Sequence, residues 1–503
     1  MMHSEKKAGA ILGYLNIGAK NLVNLIYVPL LLHFLGQGDY GVYQMTASVT
    51  FALTLLEAGF SGAYVRFYMR KRAKDDEAGI RELNGIFFLT YLAVALLCLV
   101  GGAVLVANVQ RLFSGGLTAS ELVLARQLMA IMSVNIAVQF LSSPFDSYIA
   151  AHEQFIFQQS RQLLVTIVQP FLAVLLLMLG MGAVGVASAQ LVVTVVLLLL
   201  NISFSLRKLG MRFTFRGLEG SLFKAILVFS FWIFLNQIFD LVNNNVPNFL
   251  LGAMASSSAV AVFSIAMQIR NIFVSMSTTM SNVFVPQINR MVAESDDNIE
   301  LTHLMTRVGR YQMILFWYIY GGFIVLGRFF VHIWAGDANA DAYWLTVMMV
   351  LPVMIPLTQN TGIEIQRAKN RHKTRSLIYI LTSVINIVIS VLLIPHIGYW
   401  ATAIGYVVGT FLGTGLFMNW YYQTRIGLDM FYFWRNMCPT IALAVGAAAG
   451  CLCGCALIPV NSILSFILWG VIYSLLFGAL AWKFSLTDAE RGKALARFLK
   501  KAR

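Results

Sequence analysis

Uncharged apolar runs of membrane-spanning length recur along this chain and decide its class before any motif is considered. Leu83 to Gln110 and Ala183 to Leu206 carry no charged residue. A helix in a soluble core rarely stays uncharged beyond about 14 residues, and about 20 apolar residues suffice to cross a bilayer. Asn436 to Trp482 is also uncharged and too long for one crossing, with Pro459, Asn461 and Ser462 placed where a hairpin would turn. With 59% hydrophobic and 12% charged residues among 503, the chain reads as an all-α polytopic membrane protein. Met1 to Lys7 runs straight into the first apolar segment without an A-x-A-like site, so the first helix is expected to stay attached.

Fourteen transmembrane helices are predicted, near residues 10–35, 41–66, 83–108, 120–144, 155–180, 183–206, 224–250, 258–288, 308–333, 342–365, 375–395, 398–421, 435–457 and 462–483. The net charge of +14 does not point to nucleic acid, because its placement follows the membrane. Arg66, Arg70, Lys71, Arg72, Lys74 and Arg81 follow the second span; Arg207, Lys208, Arg212, Arg216 and Lys224 the sixth; Arg367, Lys369, Arg371, Lys373 and Arg375 the tenth. The positive-inside rule makes these loops cytoplasmic and, with an even number of spans, both termini as well. The tail from Thr487 reads either as a basic amphipathic helix on the anionic inner leaflet, with Leu495, Phe498 and Leu499 on its apolar face, or as a solvated end.

Landmarks in the first half recur in the second. Leu35-Gly36 and Leu251-Gly252, Gly182 and Gly398, Ala187 and Ala403, and Thr194 and Thr410 are each separated by 216 residues, and Pro144 and Pro356 by 212. The expected organisation is two pseudo-symmetric six-helix lobes, residues 1–216 and 217–425, then two appended helices within 426–484 and a tail from 485 to 503. Because each unit has an even number of spans, the two repeats run parallel.

Several motifs carry no chemistry in this setting. Gly36 to Gly41 and Gly180 to Gly185 both match G-x-G-x-x-G, yet each falls in an outward turn between apolar helices and lacks the preceding strand of a dinucleotide fold. No P-loop sequence occurs, so the chain does not hydrolyse ATP through one. Asn201-Ile202-Ser203 is a formal glycosylation sequon at a predicted cytoplasmic helix end. The five cysteines fit neither a redox motif nor a zinc site and read as packing residues, and no histidine–carboxylate cluster has metal spacing. No metal and no cofactor are expected.

Polar residues inside the spans are more telling. In residues 225–252, Asn236, Asp240, Asn243 and Asn244 fall on one helical stripe, with Pro247 one turn later. An ionised side chain at the bilayer centre costs about 2.5 to 3.5 kcal/mol on insertion scales, so such residues face a cavity or a partner. Lys20, Glu57, Asp240 and Arg270 all lie near mid-depth, on the first two helices of each repeat. Two arrangements would neutralise them. Either they line a central cavity between the lobes, with Arg66 and Asn244 nearby, or Lys20 pairs with Glu57 and Asp240 with Arg270 to hold helices together. Asp146 and Glu364, near the inner ends of the fourth and tenth spans, are candidates for a cytoplasmic gate or are solvated helix ends. Asn386 and Ser390 are further polar residues in an apolar run.

FLGQGDYGVYQ at 34–44, LLEAGFSGAYVRFY at 55–68, SPFDSYIAAHEQF at 143–155 and GMGAVGVASAQ at 180–190 resemble the bacterial polysaccharide flippases of the multidrug/oligosaccharidyl-lipid/polysaccharide exporter superfamily. The resemblance covers essentially the whole chain. It implies two lobes that rock around a central cavity by alternating access in the bacterial cytoplasmic (inner) membrane. The substrate it implies is an undecaprenyl-pyrophosphate-linked oligosaccharide, moved to the outer leaflet for surface polysaccharide biosynthesis, with membrane lipids and glycan polymerases or glycosyltransferases as partners. Lys20 and Arg270 would hold the pyrophosphate by charge-assisted hydrogen bonds. Some relatives couple transport to Na+ or H+ through an acidic residue on helix seven and polar residues on helix eleven; Asp240, Asn386 and Ser390 match those positions, without a second carboxylate. The appended helices resemble those of lipid II flippases. Alternatives are a lipid II-type flippase, a cation-coupled multidrug antiporter and, from another class, a membrane glycan polymerase or ligase, for which no long outer loop is predicted.

Overall fold

The computed structural model describes residues 2–57, 60–215, 243–282, 284–295, 297–369, 373–486, 491–492 and the single positions 220, 224, 228 and 371. All regular structure among them is helical. By their internal contacts the residues fall into two compact units, Met1–Ala261 and Val262–Arg503. Twelve stretches of the described residues are long and apolar enough to cross a bilayer. The first, Gly18–Arg72, has 55 residues; a helix of that length would rise about 80 Å, against a hydrocarbon core of about 30 Å. Most of residues 225–252, Asp240 and Asn236 included, lie outside the described residues, as do the Thr487–Glu490 cap and the apolar face of the tail.

In the first unit, α1 (Met2–Phe51) is broken at Gly36, whose φ of 70° and ψ of 176° lie outside the helical region and are costly for any residue with a Cβ. The second predicted helix is not continuous. After Phe51 the backbone tightens into a 3-10 turn, Ala52–Glu57, where the Thr54 hydroxyl donates to the Phe51 carbonyl at 2.6 Å, and α2 (Phe60–Arg72) resumes beyond it. Next come α3 (Glu77–Phe113), α4 (Ala119–Ala151), α5 (Phe155–Met178), α6 (Gly182–Ser203) and α7 (Val246–Met254). Their boundaries fit local chemistry. The Asp76 carboxylate caps α3 through the Gly79 N–H at 2.7 Å, and Thr118 with Glu121 forms a capping box on α4.

Large apolar side chains such as Leu22, Ile26, Leu96, Leu97 and Val100 lie exposed on the helices, while the interior mixes aliphatic residues such as Leu31, Met45, Leu83 and Leu128 with alanine, aromatic and polar residues. An apolar exterior suits a protein whose solvent is lipid, where close approach of small residues replaces the hydrophobic drive between helices. A Cβ on Gly102 would stand 2.4 Å from Ser133 Cβ, and one on Gly252 of α7 would stand 2.2 Å from Met45 Sδ. Residues 209–215 then cross α3 as a strap. Thr214 N–H donates to the Arg81 carbonyl at 3.0 Å, Asn84 Nδ2 to the Arg212 carbonyl at 2.8 Å, and the Tyr64 hydroxyl to Asn84 Oδ1 at 2.6 Å.

The second unit takes the end of α8 (Ser257–Asn282), then α9 (Val285–Glu294), α10 (Asn298–Ala335), α11 (Ala342–Thr358), α12 (Asn360–Ala368), α13 (Lys373–Ile397), α14 (Tyr399–Thr410), the single turn α15 (Met418–Tyr421), α16 (Met430–Leu457) and α17 (Ile463–Phe484). Pro459, Asn461 and Ser462 make the predicted hairpin between α16 and α17, where Ser462 and Ser465 cap each other. Both helices pack on α10. Tyr473 Oη donates to the Trp317 carbonyl at 3.0 Å, and a Cβ on Gly321 would stand 2.2 Å from that oxygen.

Local geometry repeats at the predicted offset of 216 residues for the turn glycines, whereas the π-helical stretches that follow start 207 residues apart. Gly182 (φ 54°) and Gly398 (φ 56°) both open a helix from the left-handed region, and both helices widen into a π-helical stretch, Phe204–Lys208 after α6 and Phe411–Phe417 after α14. The Gly36 and Gly252 correspondence does not extend to conformation, since Gly252 is helical. The close approach of α1 to the start of α8 is testable at Gly41, where a Cβ would stand 1.9 Å from the Ser257 carbonyl oxygen, a backbone atom that cannot swing aside. Gly41→Val is expected to cost about 1 to 3 kcal/mol, read as a lowered thermal midpoint of the detergent-solubilised protein, whereas Gly62→Ala, with no heavy atom within 4 Å, should not lower it.

Candidate functional site

Among the described residues of the first unit, a dense polar network is built on six consecutive residues of α4, Ser142 to Ser147, around Pro144. Each polar side chain of that segment meets a different element. Ser142 Oγ accepts from Asn201 Nδ2 of α6 at 2.9 Å; Ser143 Oγ donates to Glu57 Oε1 at 2.7 Å; Asp146 pairs with Arg161 of α5 at 2.7 Å; Ser147 shares a 3.0 Å bond with Ser61 of α2. Arg161 also donates to Asn201 Oδ1, which closes a ring of contacts among α4, α5 and α6. Glu57 is half-buried at the end of the 3-10 turn and takes a second hydrogen bond from the Tyr91 hydroxyl of α3 at 3.2 Å. Two donors aimed at one carboxylate offset part of the cost of placing it at membrane depth.

These contacts settle one pairing left open by the sequence. Glu57 is met by Tyr91 and Ser143 rather than by Lys20, which lies exposed on α1 and makes no ion pair among the described residues. Spacing along the chain could not reveal this, because the interruption of the helix at Ala52–Glu57 turns Glu57 toward α3 and α4. Arg66 is exposed on α2. Asp146 is engaged by Arg161, and Glu364 on α12 by Arg367 at 2.6 Å. Asp240, and with it any pairing to Arg270, lies outside the described residues. Asn243 is buried and Asn244 exposed, just before α7.

In the second unit Arg270 is 9% exposed on α8. Its Nε donates to the Tyr406 hydroxyl at 3.0 Å, its guanidinium sits 4.6 Å from the centre of the same ring, and Nη1 donates to Asn271 Oδ1 at 3.2 Å. Tyr406 follows Gly405 on α14, and Gly405, Gly409 and Gly413 form a groove at every fourth residue that admits α13. Asn386 and Ser390 fill it at Gly405, and Thr382 at Gly409 and Gly413. A Cβ on Gly405 would lie 2.7 Å from Asn386 Oδ1 and 2.9 Å from Ser390 Oγ, while Ser390 Oγ donates to Asn386 Oδ1 at 3.3 Å. Both side chains are therefore buried against α14. No group of three or more His, Cys, Asp or Glu side chains that could hold a metal converges among the described residues.

Arg161, Asn201, Tyr91, Ser143 and Tyr406 belong to these networks and were not singled out in the sequence. A lone arginine in the apolar run of α5 was the available signal for Arg161; Asn201 was visible only as part of a formal sequon. The hydroxyl donors gave none, since serine and tyrosine occur throughout the spans.

At the end of α4, His152 joins an aromatic cluster with Tyr68 and Tyr148. Its Nδ1 lies 2.8 Å from the Tyr148 carbonyl, which can only accept, so Nε2 accepts from the Tyr68 hydroxyl at 3.0 Å. Burial holds the imidazole below its ordinary value of 6.5, and the Arg72 charge acts the same way against the opposing backbone bond. The folded state thus prefers the neutral ring. Its stability is full above about pH 6.5 and declines as pH falls below it, where the unfolded chain takes up the proton first. The thermal midpoint is expected to drop as pH falls below about 6.5, and His152→Gln to flatten that drop. For the polar network, Asp146→Asn and Arg161→Gln are each expected to destabilise, with a coupling in the double variant of about 1 kcal/mol, because the Asp146 side chain is 43% exposed.

Residues 7–292 match the family model described as polysaccharide biosynthesis protein. A Bacillus subtilis (strain 168) membrane protein, EpsK, is 23% identical over 493 residues, 94% of each chain. The structure of the lipid II flippase MurJ in an inward closed conformation superimposes with a TM-score of 0.72 at 15% identity, over 94% of this chain and 99% of that one. A multidrug resistance MATE family transporter of the MOP superfamily, in an inward-facing conformation, gives 0.66 at 15% identity over 81% and 94%. The fold likeness to these structures extends over most of the chain, and the family match spans more than half of the sequence: this chain belongs to the polysaccharide biosynthesis protein family.

Proposed function

We propose that this protein is a flippase, not an enzyme, and that it moves an undecaprenyl-pyrophosphate-linked oligosaccharide repeat unit from the inner to the outer leaflet of the bacterial cytoplasmic membrane. The observation that carries this reading is membership of a polysaccharide biosynthesis family combined with a fold like that of a lipid II flippase over 94% of the chain. A lipid-linked glycan presents a phosphate, a sugar chain and a polyprenyl tail, and the chain offers a group for each. Lys20, exposed on α1, and Arg270, buried beside Tyr406, supply cationic donors for the pyrophosphate. The apolar cavity of about 470 Å³ between α10 and α17, bordered by Tyr318, Ile319, Leu326 and Ile467, suits a stretch of lipid tail.

In this reading the chain crosses the membrane fourteen times. The long first stretch supplies two passes either side of Gly36, and the segment around Asp240 supplies one more. Both termini are cytoplasmic, and Lys20, Glu57, Arg66, Asp240, Asn244 and Arg270 are the candidate substrate-binding residues of an alternating-access cycle. Asp146 with Arg161 and Glu364 with Arg367 act as latches on the cytoplasmic side. Asp240, together with Asn386 and Ser390, is the candidate for coupling to Na+ or H+. A drug antiporter shares the fold, but the likeness to the multidrug transporter covers 81% of the chain rather than 94%.

Deletion of the gene in its own host, followed by quantification of polyprenyl-pyrophosphate glycans in the lipid extract, tests the function. Accumulation of one complete repeat unit with loss of the matching surface polymer is expected. Unchanged glycan lipids with heightened sensitivity to cationic drugs would replace the flippase with an antiporter. In complementation at equal protein levels, Lys20→Ala and Arg270→Ala are each expected to lower polymer export about tenfold, as loss of one charge-assisted contact of about 1.5 kcal/mol would; full export by both variants would remove the phosphate role of these two residues.

A further inference from the structure

A second cavity lies in the second unit, where the start of α16 meets the end of α17 and the flank of α10. It has a volume of about 390 Å³. Its walls carry two guanidinium groups, Arg310 from α10 and Arg435 from α16, with Asn436 and Thr440 one and five residues beyond Arg435. Thr440 and Ser485 are buried and share a 3.0 Å hydrogen bond that closes the floor, while Pro439, Phe484 and Leu486 form an apolar side. No carboxylate borders the cavity among the described residues. Nearby charges add to the basic field. Lys483 is exposed beside it, and Arg491 donates to the Lys483 carbonyl at 2.8 Å and the Leu486 carbonyl at 3.2 and 3.0 Å, which fixes the chain at the end of α17. Asp429, at the start of α16, spends its carboxylate on the Tyr432 N–H at 2.9 Å.

Two planar guanidinium groups with hydroxyl and amide neighbours match the oxygens of a phosphate, which arginine engages in pairs of parallel hydrogen bonds. The apolar side is the other half of the match. A free phosphate has no use for Pro439, Phe484 and Leu486, whereas a phosphodiester that carries acyl chains does, and basic pockets between membrane helices at the inner surface are where anionic headgroups bind. We propose that this pocket binds the phosphodiester headgroup of an anionic membrane lipid, with the acyl chains leaving along Pro439, Phe484 and Leu486. The site is separate from the transport groups and does not depend on the flippase reading. It would anchor the α16–α17 hairpin to α10 through a bound lipid.

The test is native mass spectrometry of the full-length, delipidated protein titrated with phosphatidylglycerol or phosphatidylcholine. The wild type is expected to bind one phosphatidylglycerol about tenfold more tightly than phosphatidylcholine. Arg310→Gln combined with Arg435→Gln should reduce that preference to within about twofold, and Arg371→Gln, a basic residue outside the pocket, should leave it intact. Arg435 is exposed, so Arg435→Gln alone gives a well-folded second variant, with a preference expected to fall at least threefold. The proposal is overturned if the arginine variants keep the full preference. It is equally overturned if the wild type shows none, as would follow were the chain's own Asp488 or Glu490 to occupy the pocket. Calorimetric binding of sodium pyrophosphate that Arg435→Gln abolishes, without any lipid preference, would assign the pocket to a soluble phosphate and also overturn it.

Discussion

A buried polar group in lipid must find its partner within the protein, and the segment Ser142 to Ser147 of α4 is where the first unit meets that demand. Pro144 prevents the helix from using its own backbone fully at this point, and the side chains around it reach four other elements. Ser142 meets α6, Ser143 meets the 3-10 turn, Asp146 meets α5 and Ser147 meets α2. Removing one member would leave another unsatisfied in a medium that offers no water in exchange, so the network holds the surrounding helices to one register. The same demand explains why Glu57 sits at the end of a 3-10 turn. A continuous α-helix would carry it elsewhere; the tightened turn presents it to Tyr91 and Ser143.

Between the polar contacts, glycine sets helix spacing. Gly102 against Ser133, Gly252 against Met45, Gly321 against Tyr473 and Gly405 against Asn386 are each closer than a Cβ would permit. Such contacts gain from van der Waals packing where hydrophobic burial gives nothing, and they explain how polar side chains such as Asn386 and Ser390 come to lie in helix interfaces. The α13–α14 pair shows both devices together, with the glycine groove of α14 admitting the polar face of α13 and Tyr406, next along, receiving Arg270. A charge, an aromatic ring and a close-packed helix pair are thereby linked through one helix.

Between the two halves of the chain, backbone geometry is more alike than side-chain chemistry. Gly182 and Gly398 open equivalent helices with nearly the same positive φ, and both helices widen into π geometry at their far ends. The polar partners differ. In the first unit a proline-centred segment joins acids, an arginine and hydroxyls; in the second an arginine stacks on a tyrosine. Backbone turns answer to local sterics that any copy of the sequence must obey, whereas polar partners can be exchanged one pair at a time, provided that each buried group stays satisfied.

By itself the sequence determined the membrane class, the location of several spans, the positions of the turn glycines and the family resemblance. These properties are written in one dimension, as runs of apolar residues, basic loops and glycines where φ must be positive. The α16–α17 hairpin at Pro459 to Ser462 and the boundaries of α5, α13 and α17 follow from the chain alone to within a few residues. Only the tertiary structure decided which partner each polar residue meets. Glu57 turns to Tyr91 and Ser143, Asp146 to Arg161, Arg270 to Tyr406, and Asn386 and Ser390 to the glycines of α14. Helical period shows which face of a span is polar, but not which helix lies opposite or where a 3-10 turn rotates that face. Partners such as Arg270 and Tyr406 lie 136 residues apart, and their meeting depends on how the helices between them pack.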